Sequence, residues 1–529
     1  MTDTTHEPPR SVAGQIPKNA IERLLSRITL TGPAHPTAPL HAPFTDEPIH
    51  EVPQCTAEDL EEALREARAA QRDWSRRSAD KRARVLLRFH DLVLERQDEL
   101  LDAIQLETGK SRKHAFEEVT DTAVVSRYYA IHGPRHLAPR RRQGALPALT
   151  SATEYHQPLG VVGLIAPWSN PLSLAITEVL PALLAGNAVV LKPDEQTPLT
   201  ALMAARLLDE AGVPPGLLHV LTGRGEVLGA PMIQGVDFIG FAGSADAGRA
   251  IARQAGERLI GCSLELAGKN PMIVLEDADL DSAADGAVRG CFANAGQLGV
   301  CIERLYVHAS LFDRFVSRLV AKTRALKLGA SFGWDYDVGS LVDRDQLERT
   351  AQHVRDAVGH GAHVAAGGRA RPDLGPWFYE PTILLGVTEK AAVWREETFG
   401  PVVSVYKFQA IDEAVGLANA SRYGLNASVW TSDADKGVEL ARRLRSGAVN
   451  INEAYAAALA SVDAPIGGFN ESGLGRRHGA QGLLKYTEAQ AIAVQRLVPL
   501  TAPSGVSEEK YSRSLSRALK VVRRVPWLR

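Results

Sequence analysis

Few residues in this chain are placed to do chemistry, and a carboxylate leads them. Glu265 lies in Ser263-Leu-Glu-Leu-Ala267, where flanking leucines predict an apolar setting that raises a carboxyl pKa toward useful acid or base strength. The same residue would equally serve as a structural carboxylate accepting backbone hydrogen bonds. Lys192 and Glu195 follow a short apolar run. A lysine there can donate to ribose hydroxyls, and a carboxylate can accept from them while repelling a phosphate on the 2′ oxygen; a solvated Lys/Glu pair is the plain alternative. Gly240, Gly243, Ser244 and Gly248 follow another apolar run and introduce a predicted helix over 247–255. Small residues at such a turn let backbone amides approach a diphosphate, and the helix terminus favours its charge. The segment is not GxGxxG, and a tight packing turn would use the same glycines.

Sulfur chemistry has less support. The four cysteines, Cys55, Cys262, Cys291 and Cys301, are too scattered for a disulfide framework and form no CxxC metal pair, so no metal site is expected. Cys262 and Cys291 read as buried small hydrophobes. The 529 residues are 45% hydrophobic, enough for two or three domains. With 60 Lys+Arg against 62 Asp+Glu there is no overall field to hold nucleic acid. The first twenty residues carry Pro8, Pro9, Glu7 and Arg10 without an apolar block, which reads as an arm and not a signal peptide, and no apolar stretch of membrane-spanning length follows. A reducing, cytoplasmic setting is expected.

These residues need elements to position them. Thr56 and Asp59 predict an N-terminal cap for a helix whose Leu60, Ala63, Leu64 and Ala67 share a face, and more helix follows through Val85, Leu86, Phe89, Leu92 and Val93. Pro134, Pro139, Arg140, Arg141, Arg142 and Pro147 predict an irregular basic connection. Strand character then appears at 160–165, 188–191, 217–221 and 238–241, with helices predicted over 174–184 and 201–211. An open, mainly parallel sheet binds ligands beyond the carboxyl ends of its strands, which puts Pro167-Trp-Ser-Asn-Pro171, Lys192-Pro-Asp-Glu195 and Ala242-Gly-Ser244 at one rim. A second α/β lobe follows, with strands predicted at 272–275, 303–307 and 402–405.

In this order the segments resemble the aldehyde dehydrogenase superfamily, especially its bacterial succinate-semialdehyde dehydrogenase branch, over roughly residues 35 to 500. The resemblance rests on Glu107-Thr-Gly-Lys110, Pro167-Trp168 with Pro171, Lys192-Pro-Asp-Glu195, Phe241-Ala-Gly-Ser244, Leu264-Glu-Leu-Ala-Gly-Lys-Asn-Pro271, Phe292-Ala-Asn-Ala-Gly-Gln297, Glu396-Glu-Thr-Phe-Gly-Pro401, Pro465-Ile-Gly-Gly468 and Ser472-Gly-Leu-Gly-Arg476. It implies an α/β fold with a dinucleotide-binding sheet, a second α/β catalytic lobe and a small oligomerisation domain. The expected divisions are an arm and helical part over 1–135, oligomerisation segments at 136–157 and 466–500, a dinucleotide-binding core at 158–265, a catalytic lobe at 266–465 and a basic tail at 501–529. The resemblance further implies that Trp168, Lys192, Glu195, Gly243, Ser244, Glu397 and Phe399 surround NAD(H), with NADP(H) as the alternative, that Glu397 holds the nicotinamide-side ribose, that Glu265 is the general base, and that the chain forms a homodimer or homotetramer.

The departures fall on the chemistry. Where the family keeps its catalytic cysteine this chain has Gly299, in Leu298-Gly299-Val300-Cys301, and the separation from Glu265 is the one the family keeps between base and nucleophile. Where the family has its oxyanion asparagine, this chain has Ser169 followed by Asn170; serine reaches less far. Where the succinate-semialdehyde relatives carry an arginine, Thr177 and Glu178 stand instead, removing bidentate carboxylate recognition. Three readings follow: noncovalent hydride transfer to or from a small carbonyl or imine with Glu265 as acid or base; aldehyde oxidation through a displaced nucleophile such as Cys301 or as an altered form of an active parent; and a noncatalytic dinucleotide-binding or assembly protein. Residues 510–529 add Lys510, Arg513, Arg517, Lys520, Arg523, Arg524 and Arg529 among Leu515, Leu519, Val522 and Trp527, which fits either a basic amphipathic helix on an anionic membrane or packing against a subunit. The carboxylate at Glu195 predicts tighter binding of NADH than NADPH. Fluorescence titration checks this, and equal or reversed affinities would overturn the preference.

Overall fold

The computed structural model describes residues 14–32, 34–143, 150–495 and 501–524; residues 1–13 of the predicted arm, Pro147, Trp527 and Arg529 lie outside these, and the last residues of that arm enter helix Lys18–Leu25. Strands Val161–Ile165, Ala188–Lys192, Leu218–Val220, Phe238–Ala242 and Gly261–Glu265 run parallel in one six-stranded sheet, closed at one edge by the antiparallel pair Gly473–Leu474. The apolar runs are buried throughout the central strands, as a sheet covered on both faces requires. The first strand of this sheet along the chain, Val161–Ile165, lies between Ala188–Lys192 and Phe238–Ala242. The chain therefore winds outward in one direction and then the other, and its switch point opens beside the loop after Ile165.

A second sheet of seven strands orders His363–Ala366, Thr382–Leu385, Val402–Phe408, Ile302–His308, Asn270–Val274, Asn426–Trp430 and Ala448–Ile451. All its pairings are parallel except the one between the first two strands. A third, antiparallel sheet pairs Thr487–Gln495, Thr150–Pro158 and Arg140–Arg142. Together these give the α/β architecture expected: a dinucleotide-type sheet, a second α/β lobe and a small sheet of the oligomerisation type.

Local predictions fare unevenly. Thr56 and Asp59 form the reciprocal cap of helix Ala57–Ser75. The irregular connection at 134–147 is corrected in two places. Pro134 lies inside the last turn of helix Arg112–Leu137, and Arg140–Arg142 is a strand whose Arg142 binds Glu154 on its neighbour at 2.7 Å. Cross-strand pairing overrides the turn propensity that prolines and a charge run suggest. Cys291 is buried as expected, but Cys262 is only half-buried, packed against the margin of the core from strand Gly261–Glu265.

Two buried carboxylates fix the helices that approach the switch point. Glu118 accepts from the amides of Leu172 (2.9 Å) and Ser173 (3.2 Å) at the start of helix Ser173–Ala185 and pairs with the buried Lys110 at 2.5 Å. Glu107 accepts from the Thr200 amide (2.8 Å) and hydroxyl (2.6 Å) at the start of Pro198–Ala211. Both satisfy helix-terminal donors that no backbone carbonyl can reach. Glu118→Ala would strand the Lys110 ammonium and two amides, so a loss of about 3–5 kcal/mol is expected. Urea unfolding measures it, and an unchanged midpoint would show that the pair contributes nothing.

Candidate active site

The rim residues converge as the topology requires. The carboxyl ends of strands Val161–Ile165 and Ala188–Lys192 are joined by the Ala166 amide on the Lys192 carbonyl (3.0 Å), and Gly243 donates to the Glu265 carbonyl (2.9 Å). Ser244 caps helix Ala245–Arg258, its hydroxyl accepting from the Ala247 amide at 3.3 Å, and stands exposed at the helix's positive end. A Cβ at Gly243 would come within 2.5 Å of the Phe241 ring, so the missing side chain keeps this entrance open. Lys192 is buried, its pKa lowered by burial, and its ammonium turns onto the Pro193 carbonyl (3.1 Å); Glu195 is exposed. This set of rim amides, a helix terminus, a lysine and a carboxylate fits a dinucleotide.

The opposite wall comes from the second lobe. Glu303, on strand Ile302–His308, pairs with Lys269 and accepts from the amides of Thr398 and Phe399 at 3.0 Å. Gln346 closes the same turn by donating to the carbonyls of Thr398 (3.1 Å) and Phe399 (2.7 Å). These bonds hold Phe399 at a left-handed φ of 54° and set its ring edge-on to Trp168, 5.5 Å away. Glu397 accepts from the Gly268 amide at 2.8 Å; burial and the neighbouring Glu303 push its carboxyl up to about 8.

Gly299 sits in a turn whose backbone is pinned. Asn270 donates to the carbonyls of both Gly299 and Cys301 at 2.7 Å, and Asn426 donates to that of Val300 at 2.9 Å. Preceding it, Asn294 and Ala295 adopt left-handed φ values of 50° and 52°, held by Asn294 bonds to the carbonyls of Ser169 (3.2 Å) and Gln297 (3.1 Å). Gly296 must be glycine, because a Cβ would lie 2.1 Å from the Gly400 carbonyl oxygen. At Gly299 the nearest atom to an added Cβ is Leu425 Cδ2 at 3.3 Å, so a Cβ is accommodated once the tip of that flexible side chain gives by a few tenths of an ångström. Cys301 does not open onto a cleft: it is 3% exposed, its thiol donates to the Ala293 carbonyl (3.6 Å), and burial raises its pKa far from the thiolate range. The displaced-nucleophile reading of Cys301 is thus without geometric support.

The loop after strand Val161–Ile165 is anchored by Lys110. Lys110 donates to the Ser169 carbonyl (2.7 Å) and to Asn170 Oδ1 (2.9 Å), so the Asn170 side chain faces Lys110.

Glu265 has a partner the sequence reading missed. Its carboxylate lies 3.2 Å from Arg477 Nε, and Arg477 also reaches Glu178 (3.4 Å) and the Thr177 hydroxyl (2.9 Å). Glu178 is held further by Lys485 at 2.5 Å and by the Tyr486 hydroxyl. Burial raises the Glu265 pKa while Arg477 opposes the rise; 24% of its side chain stays exposed. Glu178 and Glu265 border a cavity of about 20 Å³ with Leu174 and Phe241, room on the scale of one water. A guanidinium does arrive at Thr177, but from the far end of the chain and already shared by two carboxylates. No local sequence signal marks this contact, because Arg477 lies 299 residues along the chain from Glu178. Among the described residues no cluster suited to a metal occurs.

Fold and site together define a dinucleotide-dependent dehydrogenase class. The Aldehyde dehydrogenase family model matches residues 31–492, and the chain belongs to that family. It is 46% identical over 493 residues, 93% of this chain and 95% of the relative, to a Mycolicibacterium smegmatis protein named "Putative succinate-semialdehyde dehydrogenase", whose name specifies NADP(+). Among solved structures it is similar to succinate-semialdehyde dehydrogenase from Burkholderia pseudomallei (33% identity, TM-score 0.84, covering 87% of this chain and 95% of that one). It is also similar to betaine aldehyde dehydrogenase from Staphylococcus aureus in complex with NAD+ (30% identity, TM-score 0.84, 91% and 99%).

The pinned turn and the room at position 299 predict that Gly299→Cys folds normally and adds one fast-reacting thiol to the native protein, while Cys301 stays protected until unfolding. Mass-mapped labelling with a thiol reagent checks this; native-state labelling of Cys301 at a rate like that of the new thiol would overturn the burial argument.

Proposed function

We propose that this chain is an NAD(P)(H)-linked oxidoreductase acting on a small carbonyl or imine by direct hydride transfer, with no covalent enzyme intermediate. The observation that carries the reading is the turn at 298–301: it presents glycine, holds its backbone by three side-chain bonds, and keeps the neighbouring thiol enclosed. The cofactor, NAD(H) with NADP(H) as the alternative, supplies the hydride when bound. Its binding falls to Trp168, Lys192, Glu195, Gly243, Ser244, Glu397 and Phe399. The site of one relative solved with NAD+ and the NADP(+) in the name of another support a nicotinamide dinucleotide without choosing between the two.

What remains for the chain is the proton. When hydride reaches a carbonyl carbon, the oxygen must gain a proton, and in reverse an alcohol or hydrate must lose one. Glu265, partly exposed at the rim and raised in pKa by burial, supplies or receives it directly or through water in the small cavity beside Glu178. Arg477 keeps that carboxyl oriented. Because Arg477 already faces two carboxylates, Glu178 and Glu265, through Nε and donates from Nη2 to Thr177, its charge is balanced within the protein, which supports a substrate other than succinate semialdehyde. Self-association through the small antiparallel sheet belongs to the same reading, since Ile492 and Val494 are exposed on it.

The names of the relatives support a second reading, aldehyde oxidation through an enzyme nucleophile. One experiment separates the two. Under direct transfer, intact-protein mass spectrometry during incubation with NAD(P) and aldehydes shows no acyl adduct, whereas an adduct mapped to Cys301 would establish the second. Glu265→Gln should leave NADH binding intact and lower single-turnover oxidation of NADH by roughly 10² to 10⁴ across a screen of carbonyls and cyclic imines. Reduction uses the protonated acid, so the wild-type rate falls as pH rises through the raised folded-state pKa, and the Gln variant lacks that limb. Full activity in the variant would make Glu265 structural, and tight NADH binding with no turnover in the unmutated chain would make the protein a noncatalytic binder.

A further inference from the structure

The helix Glu508–Arg524 begins beyond the end of the family match at residue 492, and none of its described side chains is buried. We propose that this helix is an interfacial anchor that docks the protein onto an anionic lipid surface. The inference is independent of the reaction assigned above.

The sequence of the helix is strongly sided. At roughly 100° per residue, Tyr511, Leu515, Ala518, Leu519 and Val522 fall in one sector, and Arg513, Arg517 and Lys520 fall opposite it, with Lys510 and Arg523 toward the flanks. Tyr511, Leu515 and Val522 are half-exposed and Leu519 is 47% exposed, so the body of the protein leaves the stripe largely open. The two acidic residues, Glu508 and Glu509, are both in the first turn, where they complement the helix dipole and leave the remaining length cationic. Arg513 retains one of them at 2.5 Å. With 17 residues the helix is about 25 Å long, and no helix among the described residues is long and apolar enough to cross a membrane. A helix of this kind lies in the plane of the headgroups, with its apolar stripe inserted and its long basic side chains reaching outward to anionic lipid.

Other occupants fit less well. Two copies of the helix packed stripe to stripe would share only two to three heptads and bring rows of like charge together. Nucleic acid would match the basic side and leave the apolar stripe in water.

The test uses the full chain in co-sedimentation with phosphatidylcholine vesicles and with vesicles containing phosphatidylglycerol. Binding should be at least about tenfold stronger to the anionic vesicles and weaken with salt. Leu515→Ser with Leu519→Ser, which keeps every charge, should lower it by roughly tenfold, and a chain ending at residue 507 should bind no better than to neutral vesicles while retaining its NADH affinity and thermal transition. Equal binding by the shortened chain, absence of binding by the full chain, or indifference to the paired serine substitution would overturn the proposal. So would a change of oligomeric mass on truncation without vesicle binding, which assigns the helix to subunit assembly, or binding to duplex DNA that exceeds binding to the anionic vesicles.

Discussion

The buried contact between Lys110 and Glu118 is the interaction on which the site most depends. One carboxylate oxygen of Glu118 neutralises the ammonium and the other caps helix Ser173–Ala185, while the same ammonium holds the Ser169 carbonyl and Asn170. A charge this deep is tolerable only when paired and fully hydrogen-bonded. Its partners are thereby drawn into fixed places: the loop after the first strand, the start of the helix behind it, and through Asn294 the segment leading to Gly299. A surface salt bridge could not transmit such order, because water would compete for each bond.

The sequence made the periodic part of the fold legible. Apolar runs such as 188–191 and 238–241 are short, bounded by glycine or polar residues and separated by helical spacing, which leaves a parallel sheet as the economical arrangement. From the strand order, the rim positions of Lys192, Gly243, Ser244 and Glu265 follow without knowledge of side-chain contacts. What stayed hidden was contact at long separation. Arg477 meets Glu178 and Glu265 because the return strand Gly473–Leu474 pairs with Gly261–Glu265, and a two-residue strand carries no periodic signal. The helical lodging of Pro134 and the pairing of Arg140–Arg142 were hidden for the same reason, since tertiary partners decided them.

In the proposed function the site has two halves: Trp168, Phe399, Glu397 and the helix terminus after Gly243 form walls assigned to the dinucleotide, and Gly299 and Ser169 stand where the sequence resemblance leads one to expect bond-making groups. Glu178 shows how charge is rebalanced there. Its negative charge would be costly in a closed pocket if alone, but Arg477, Lys485 and Tyr486 surround it and hold its pKa below the usual carboxylate range. A negative and a positive charge introduced together cost the interior less than either would singly.

The left-handed backbones of Asn294, Ala295 and Phe399 have a thermodynamic meaning for ligand capture. Non-glycine residues hold such conformations at a cost of order 1–3 kcal/mol each, and here that cost is met when the protein folds, through Gln297, Glu303 and Gln346. In the proposed function a dinucleotide entering between the two walls would find those turns already set, so their conformational entropy would not be lost again on association. Binding free energy that would otherwise be consumed in ordering the cleft remains for holding the ligand.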